Sequence, residues 1–176
     1  FNGLSVWENV WLSARRTNSN QQAERITRDT LERVGMAAYK DNLAGLLAHA
    51  PGMTVRPVEP AGFDDMARSL ATGTIQRNPA LTGSICDAIL TPQPGDLTFP
   101  ILHRLAGPGQ VVTDDQALRA VALAFRHLHI VLEPGGAVAL AAALFRPDLP
   151  QTVIAVATGG NTDAEMFRRA LATLDA

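Results

Sequence analysis

The hydrophobic positions of the first 49 residues recur at helical spacing and predict helices. A helix over about 21–38 carries apolar residues along one side, namely Ala23, Ile26, Leu31, Val34 and Ala38. Ser19 and Gln22 form a capping box before it, in which the serine hydroxyl meets a backbone amide and the glutamine reaches back. Ser5 and Glu8 repeat this arrangement before an earlier helix. We therefore predict that residues 1–49 are helical.

The middle of the chain changes to short segments separated by Pro and Gly. A strand is predicted around Val55–Val58, where Pro57 indicates an edge position. A short helix follows and ends at Gly73, and another helix lies near residues 97–106. The Pro-, Gly- and Thr-rich stretch over residues 74–112 is predicted to wrap the surface around that second helix.

The last third of the chain is regular and predicts an α/β fold. Thr113 and Gln116 form a capping box for a helix whose apolar side is Leu118, Val121, Phe125 and Leu128. Pro134 begins a helix that is apolar nearly all round, which predicts burial. Residues 152–158, TVIAVAT, are a continuous apolar run typical of a central parallel strand, and residues 162–165 cap a last helix. These elements predict a partial three-layer parallel sheet with flanking helices, preceded by the helical N-terminal segment.

Composition and charge exclude several classes of partner. The net charge is -2 and no Lys/Arg cluster is present, which argues against nucleic acid and against an anionic membrane surface. No apolar run reaches the length of a membrane span. The single Cys86 excludes an internal disulfide and fits a reducing compartment such as the cytoplasm. A chain that begins at Phe1, without a signal peptide, is expected to be a fragment or a processed product.

The sequence Thr-Gly-Gly-Asn at residues 158–161 follows the predicted strand and precedes a helix. In open α/β sheets, ligands lie beyond the carboxyl ends of strands, and glycines there let the backbone approach a flat ring closely. This pattern indicates a ligand site, although an ordinary turn between a strand and a helix has the same pattern.

Five sequence blocks from about Val55 onward are arranged as in one enzyme family. They are VEPAGFDDMARSL, ICDAILTPQPGDLTFPIL, VTDDQALRAVALAF, LEPGGAVALAAALF and VIAVATGGNTD. On these blocks, residues 50–176 resemble the C-terminal part of serine/threonine dehydratases, pyridoxal-phosphate enzymes of the tryptophan-synthase-β fold type. The resemblance implies an ammonia-lyase that removes water from a small hydroxy amino acid and yields a 2-oxo acid.

The same resemblance implies a set of cofactor residues. Thr158 would hydrogen-bond the pyridine nitrogen, with Gly159, Gly160 and Asn161 completing the turn. Glu133 would lie near the cofactor ring, although a carboxylate at a helix start is the alternative.

A divalent-cation site is the second implication of the resemblance. The matching ligands are Glu59, the Phe63 carbonyl and Asp65, and the ion would be Mg²⁺ or Ca²⁺. The alternative is that Asp64 and Asp65 stabilise a helix N-terminus through its dipole.

Two parts of the family's site have no counterpart in the sequence. The family's lysine lies in an S-x-K-x-R-G motif, whereas the only lysine here, Lys40, lies in AAYKDNLAG. The place of the glycine-rich phosphate loop reads DNLAGLLAHA, with Gly45 as its one glycine. We therefore expect this chain to be inactive alone.

Residues 1–49 are similar to a different family. FNGLSVWENVWLSARR and TLERVGMAAYKDNLAGLLAHA resemble the helical subdomain of ABC-transporter ATPases for branched-chain amino acids, with LAHA in place of the signature L-S-H-G. The resemblance implies a chimera joined near residue 50. Two alternatives to a dehydratase remnant follow: a transporter-ATPase fragment, or a non-catalytic interaction protein. The latter would be a homo-oligomer, or would bind a complementing N-terminal half.

Overall fold

The fold was obtained as a computed structural model that describes residues 19–33 and 54–174. The chain forms two compact units, Phe1–Val55 and Arg56–Ala176. In the first unit, helix α1 spans Asn20–Arg33. The predicted capping box before it is confirmed, because Gln22 Oε1 accepts from the Ser19 amide at 3.1 Å and Ser19 Oγ accepts from the Gln22 amide at 3.4 Å. The capping box predicted at residues 5–8 lies outside the described residues.

The second unit alternates short strands and helices. In chain order its elements are β1 (Val58–Pro60), α2 (Asp65–Thr72), a 3₁₀ turn (Asp87–Ile89), α3 (Phe99–Leu105), β2 (Gln110–Val112), α4 (Asp114–Leu123), a π-helical turn (Ala124–Leu128), α5 (Pro134–Phe145) and α6 (Ala164–Ala172). Within the described ranges, no helix has both the length and the apolar character needed to cross a membrane.

The sheet consists of β1 and β2 in parallel. Their register pairs Val58 with Gln110 and Pro60 with Val112, and α2, the 3₁₀ turn and α3 form the crossover between them. The strand predicted around Val55–Val58 therefore begins later, after Pro57, whose carbonyl accepts from the Gln110 amide at 2.8 Å. The predicted α/β class with a parallel sheet and flanking helices is confirmed.

The core of the second unit is built around α5. This helix contacts both strands and packs against α4, which in turn packs against α6. Its burial was predicted from its uniformly apolar sequence, and seven of its residues are buried, namely Pro134, Gly135, Gly136, Ala137, Val138, Ala141 and Ala142. The predicted capping box at the start of α4 is also confirmed, with Thr113 and Gln116 exchanging hydrogen bonds of 2.9 and 3.2 Å.

The predicted apolar side of the helix after Thr113 is correct only over its first half. Leu118 and Val121 are buried, but Phe125 is 40% exposed and Leu128 is 57% exposed. The helix widens into a π-helical turn at Ala124, and more residues per turn rotate later side chains away from the face set by the α-helical period. Sequence spacing alone could not locate this change of period.

The predicted central strand at residues 152–158 does not form. Residues 153–163 contain no helix, turn or bend, and Ile154 is 79% exposed. A strand is defined by hydrogen bonds to a neighbour, and no described segment pairs with the backbone of residues 153–157. The apolar run is therefore a segment that pairs with no strand among the described residues.

The N-cap residue of the last helix lies one position later in the chain than predicted. Asp163 is the N-cap residue of α6, and its Oδ1 accepts from the Met166 amide at 2.7 Å. The Thr162 hydroxyl does not cap the helix; it is buried and has no hydrogen-bond partner among the described residues. Thr and Asp are both good capping residues, so the sequence alone did not decide between them.

Candidate functional site

Two backbone segments that carry candidate cofactor residues lie against each other. The Glu133 amide donates to the Gly159 carbonyl at 2.9 Å, and the Thr158 amide donates to the Gly136 carbonyl at 3.3 Å. Because Pro134 begins the buried helix α5, Glu133 is held at the N-terminus of that helix. The structure therefore brings Glu133 together with the Thr-Gly-Gly turn.

The contact between these segments requires glycines. A Cβ at Gly136 would overlap the Gly159 carbonyl oxygen and lie 2.7 Å from the Gly159 nitrogen. A Cβ at Gly159 would overlap the Glu133 carboxylate, and one at Gly160 would lie 2.7 Å from the Val131 carbonyl oxygen. From the sequence, Gly159 and Gly160 are expected to make room for a ring. In the structure, a Cβ at Gly136 or Gly160 would meet backbone atoms, whereas a Cβ at Gly159 would meet the end of the flexible Glu133 side chain. The need for glycine at position 136 could be recognised only from this spatial contact.

The turn exposes a hydroxyl that is available to a ligand. Thr158 is exposed, and its side chain makes no hydrogen bond within the described part of the chain. Asn161 is exposed as well, while Gly159 is partly buried under Glu133. These residues fit one edge of pyridoxal phosphate, where a hydroxyl donor faces the ring nitrogen. Lys40, the only lysine of the sequence, lies outside the described residues.

The second candidate cluster is organised by Glu59, which lies in β1. Its two carboxylate oxygens accept from the Met66 amide at 2.9 Å and from the Ala67 amide at 2.8 Å, so Glu59 caps the N-terminus of α2. Asp64 occupies the N-cap position of α2, but its side chain makes no capping hydrogen bond. Its carboxylate instead pairs with Arg68 at 3.3 Å. Burial raises the pKa of Glu59 to about 7, against the lowering effect of the two amides.

Asp65 is held by residues that sequence analysis did not single out. Its side chain is 1% exposed and accepts from Asn78 Nδ2 at 2.5 Å and from Thr91 Oγ1 at 3.4 Å. Burial raises its pKa, and the bonds from Asn78 and Thr91 oppose that rise. Asn78 and Thr91 lie in the loop-rich stretch, where no periodic pattern marks them, so their role depends on tertiary contacts.

The third predicted metal ligand is a backbone group. The Phe63 amide donates to the Pro60 carbonyl at 3.0 Å, whereas the Phe63 carbonyl accepts no hydrogen bond in the described part of the chain. Between residues 19–33 and 54–174, no group of three or more His, Cys, Asp or Glu side chains is arranged to hold a metal ion. A cation at this position would therefore depend on the carbonyl as well as on the carboxylates.

The second unit has an α/β fold, and comparison with known proteins defines the family. Residues 35–160, which are 126 of the 176 residues, match the sequence profile described as pyridoxal-phosphate dependent enzyme. The chain belongs to this family.

Individual relatives support this assignment. Serine racemase from Dictyostelium discoideum is 35% identical over 127 residues, which cover 69% of this chain and 39% of the relative. L-threonine ammonia-lyase from Geobacter sulfurreducens is 32% identical over 117 residues, covering 65% of this chain and 29% of the relative. Among solved structures, a threonine deaminase from T.th. matches with a TM-score of 0.65 and 31% identity over 81% of this chain and 55% of that structure. The chain therefore spans between about a third and about half of these relatives.

The boundary between the two predicted regions remains a prediction. The family match begins at residue 35, before the predicted junction near residue 50, whereas the compact units separate after Val55. The transporter-ATPase resemblance of residues 1–49 gains no support from these matches. It remains a prediction, as does the cytoplasmic location.

We predict that alanine substitution at the adjacent glycines 135 and 136 of α5 changes the free energy of unfolding by different amounts. Gly136→Ala should lower the free energy of unfolding by about 1–3 kcal/mol, because its Cβ meets the Gly159 backbone, which cannot move aside cheaply. Gly135→Ala is the matched control, because its Cβ would make only ordinary contacts, the nearest at 3.5 Å to Ile89. Urea denaturation followed by circular dichroism measures both changes, and equal effects would contradict the described contact.

Proposed function

We propose that this chain forms the ring-nitrogen side of a pyridoxal-phosphate site in an L-serine or L-threonine ammonia-lyase. The observation that carries the proposal is the Thr158 hydroxyl, which is exposed, makes no hydrogen bond to any described residue, and lies on a turn that is hydrogen-bonded to Glu133. The similarity to serine racemase and threonine ammonia-lyase supports a small hydroxy amino acid as the substrate. The net reaction converts the hydroxy amino acid into a 2-oxo acid and ammonia, since the water lost in elimination is regained in hydrolysis.

Each residue of the turn has a defined task in this proposal. The cofactor, when bound, supplies the electron sink that lets the α-hydrogen of the substrate leave as a proton. Thr158 would hold the pyridine nitrogen with a hydrogen bond from its hydroxyl group. A neutral donor would leave that nitrogen largely unprotonated, which suits elimination better than a carboxylate would. Glu133 and Asn161 would lie beside the ring, and Glu133 keeps the turn in place through the hydrogen bond from its backbone amide to the Gly159 carbonyl.

This chain by itself is proposed to lack catalytic activity. Lyase chemistry needs a lysine to carry the cofactor and to accept the α-proton, and a cup of backbone amides for the phosphate. Lys40 is the only lysine, and its sequence setting differs from the family's motif. The residues before Val55 likewise do not reproduce the glycine-rich phosphate loop.

The inactivity is tested with the purified chain, pyridoxal phosphate and either L-serine or L-threonine. We expect no ammonia above a protein-free control and no visible absorbance band from a lysine Schiff base. An active threonine ammonia-lyase serves as the positive control. Ammonia release that needs added cofactor and is lost in Lys40→Ala would contradict the proposal.

The role of Thr158 is tested by equilibrium dialysis of pyridoxal phosphate at millimolar concentrations. Thr158→Ala should weaken binding by roughly fivefold, because a neutral hydrogen bond contributes about 1 kcal/mol, and Thr158→Ser should retain the wild-type affinity. Thr152→Ala is the matched control, since Thr152 is an exposed threonine at the other end of the same segment. Equal binding by wild type and Thr158→Ala would refute the assigned role.

We further propose that Glu59, Asp65 and the Phe63 carbonyl hold Mg²⁺ or Ca²⁺ beside α2. Two desolvated carboxylates on either side of a turn, together with a carbonyl that has no hydrogen bond, supply the oxygen ligands that these cations require. A bound cation would favour the ionised form of Glu59, whose pKa burial raises to about 7.

The cation proposal predicts a saturable rise in melting temperature when MgCl₂ or CaCl₂ is added at pH 8. Glu59→Gln and Asp65→Asn should each abolish this rise, whatever their effect on the melting temperature in EDTA. Asp115→Asn is the matched control, because Asp115 is an exposed acidic residue at the start of α4. A wild-type melting temperature that does not respond to either cation would exclude the site.

A further inference from the structure

Asp114 lies in the first turn of α4, and its carboxylate accepts hydrogen bonds from a loop that is distant in the sequence. Asp114 Oδ1 accepts from the Ser84 hydroxyl at 2.5 Å, and Asp114 Oδ2 accepts from the Ile85 amide at 3.1 Å. Thr113 and Gln116 already cap the N-terminus of α4, so the helix does not need this carboxylate as its cap. A carboxylate that uses both oxygens on one loop fixes the position and the orientation of that loop.

The loop held by Asp114 leads directly into the 3₁₀ turn over Asp87–Ile89. Ser84 Oγ also accepts from the Cys86 amide at 3.1 Å, and the Cys86 carbonyl accepts from the Ile89 amide at 3.1 Å. Cys86 itself is fully buried. The hydrogen bonds therefore continue from Asp114 through Ser84 to the 3₁₀ turn.

The 3₁₀ turn packs against the start of α5. A Cβ at Gly135 would lie 3.5 Å from the Ile89 side chain and 3.6 Å from the Ala88 Cβ, so both side chains face Gly135. The next residue, Gly136, accepts from the Thr158 amide at 3.3 Å. The 3₁₀ turn is therefore placed against the same helix end that holds the Thr-Gly-Gly turn at residues 158–160.

We propose that Asp114 is a positioning residue for the candidate cofactor site, because it holds the 3₁₀ turn against α5 and thereby keeps the Thr158 hydroxyl in place for the pyridine nitrogen. The inference rests on the proposed function. Asp114 does not touch the cofactor, and its effect passes through the loop, the 3₁₀ turn and α5. Packed segments resist displacement together, so a loop released from Asp114 would let the 3₁₀ turn shift away from α5.

Amide hydrogen exchange, measured by NMR on the chain without cofactor, tests the positioning directly. Asp114→Ala should accelerate exchange of the Ile85, Glu133 and Thr158 amides by roughly fivefold or more, since each would open locally more often. The first of these amides donates to Asp114 itself, and the other two join α5 to the Thr-Gly-Gly turn. The Phe167 amide of α6 should keep its rate.

Asp115→Ala is the matched control, because it removes the same charge from the same turn of α4 and Asp115 is exposed. It should leave the four exchange rates unchanged, and an effect equal to that of Asp114→Ala would overturn the inference. Acceleration at Ile85 without a change in the Thr-Gly-Gly turn would also overturn it, since the role of Asp114 would then end at its own loop. Equal acceleration of every amide would indicate a general loss of stability and would overturn it as well.

Equilibrium dialysis of pyridoxal phosphate connects the positioning to the site. Asp114→Ala should weaken binding by roughly threefold, but it should cause no further loss in the Thr158→Ala chain, where the hydroxyl to be positioned is absent. An equal loss in both backgrounds would overturn the inference. If the wild-type chain binds no pyridoxal phosphate although the exchange rates respond as expected, the proposed function fails, whereas the role of Asp114 in holding the turn is supported.

Discussion

Two backbone segments of this protein meet with no side chain between them, and the candidate cofactor site depends on that contact. Gly136 on the first turn of α5 lies against the Gly159 backbone, and the hydrogen bond from Glu133 to Gly159 joins the same two segments. Because the first five residues of α5 are all buried, its N-terminus is held in the core of the second unit. The position of Thr158 follows from this anchor, since its amide donates to the Gly136 carbonyl.

The acidic residues around α2 show how one arrangement serves both stability and ligand binding. Glu59 caps the helix, and Asp65 anchors Asn78 and Thr91 of the following loop. Both carboxylates are partly desolvated, and this raises their pKa values. Their hydrogen bonds to the protein do not fully replace the hydration that the ionised forms have lost. A divalent cation would supply the missing positive charge. A helix cap and a cation ligand are therefore compatible functions for Glu59.

The sheet of this protein is small for the number of helices that surround it. Two paired strands of three residues each support α5, while an apolar segment that could form a third strand has no neighbour among the described residues. Parallel sheets in α/β proteins are normally covered and extended by further strands. The segment, which no described residue pairs with, leads directly to Thr158.

Local signals in the sequence were sufficient to predict most helix starts and to identify the family. Ser19, Thr113 and Pro134 mark helix starts through interactions with residues close in sequence, and such interactions are present in any context. The order of residues at 158–161 likewise marked a candidate ligand site, but its hydrogen bond with Glu133 joins distant parts of the chain and became visible only in the structure. The positions of Asn78 and Thr91 could not be predicted, because their contacts join residues far apart in the chain.

The run TVIAVAT shows where sequence information ends. Its composition determined that the segment would be apolar and unbent, which is a property of the residues themselves. Whether it becomes a strand was decided only by the tertiary structure, because a strand needs hydrogen bonds from a second segment and none of the described residues supplies them. Likewise, the sequence placed a hydroxyl at Thr158, but only the tertiary structure, in which the Thr158 amide donates to the Gly136 carbonyl, shows that this residue is exposed.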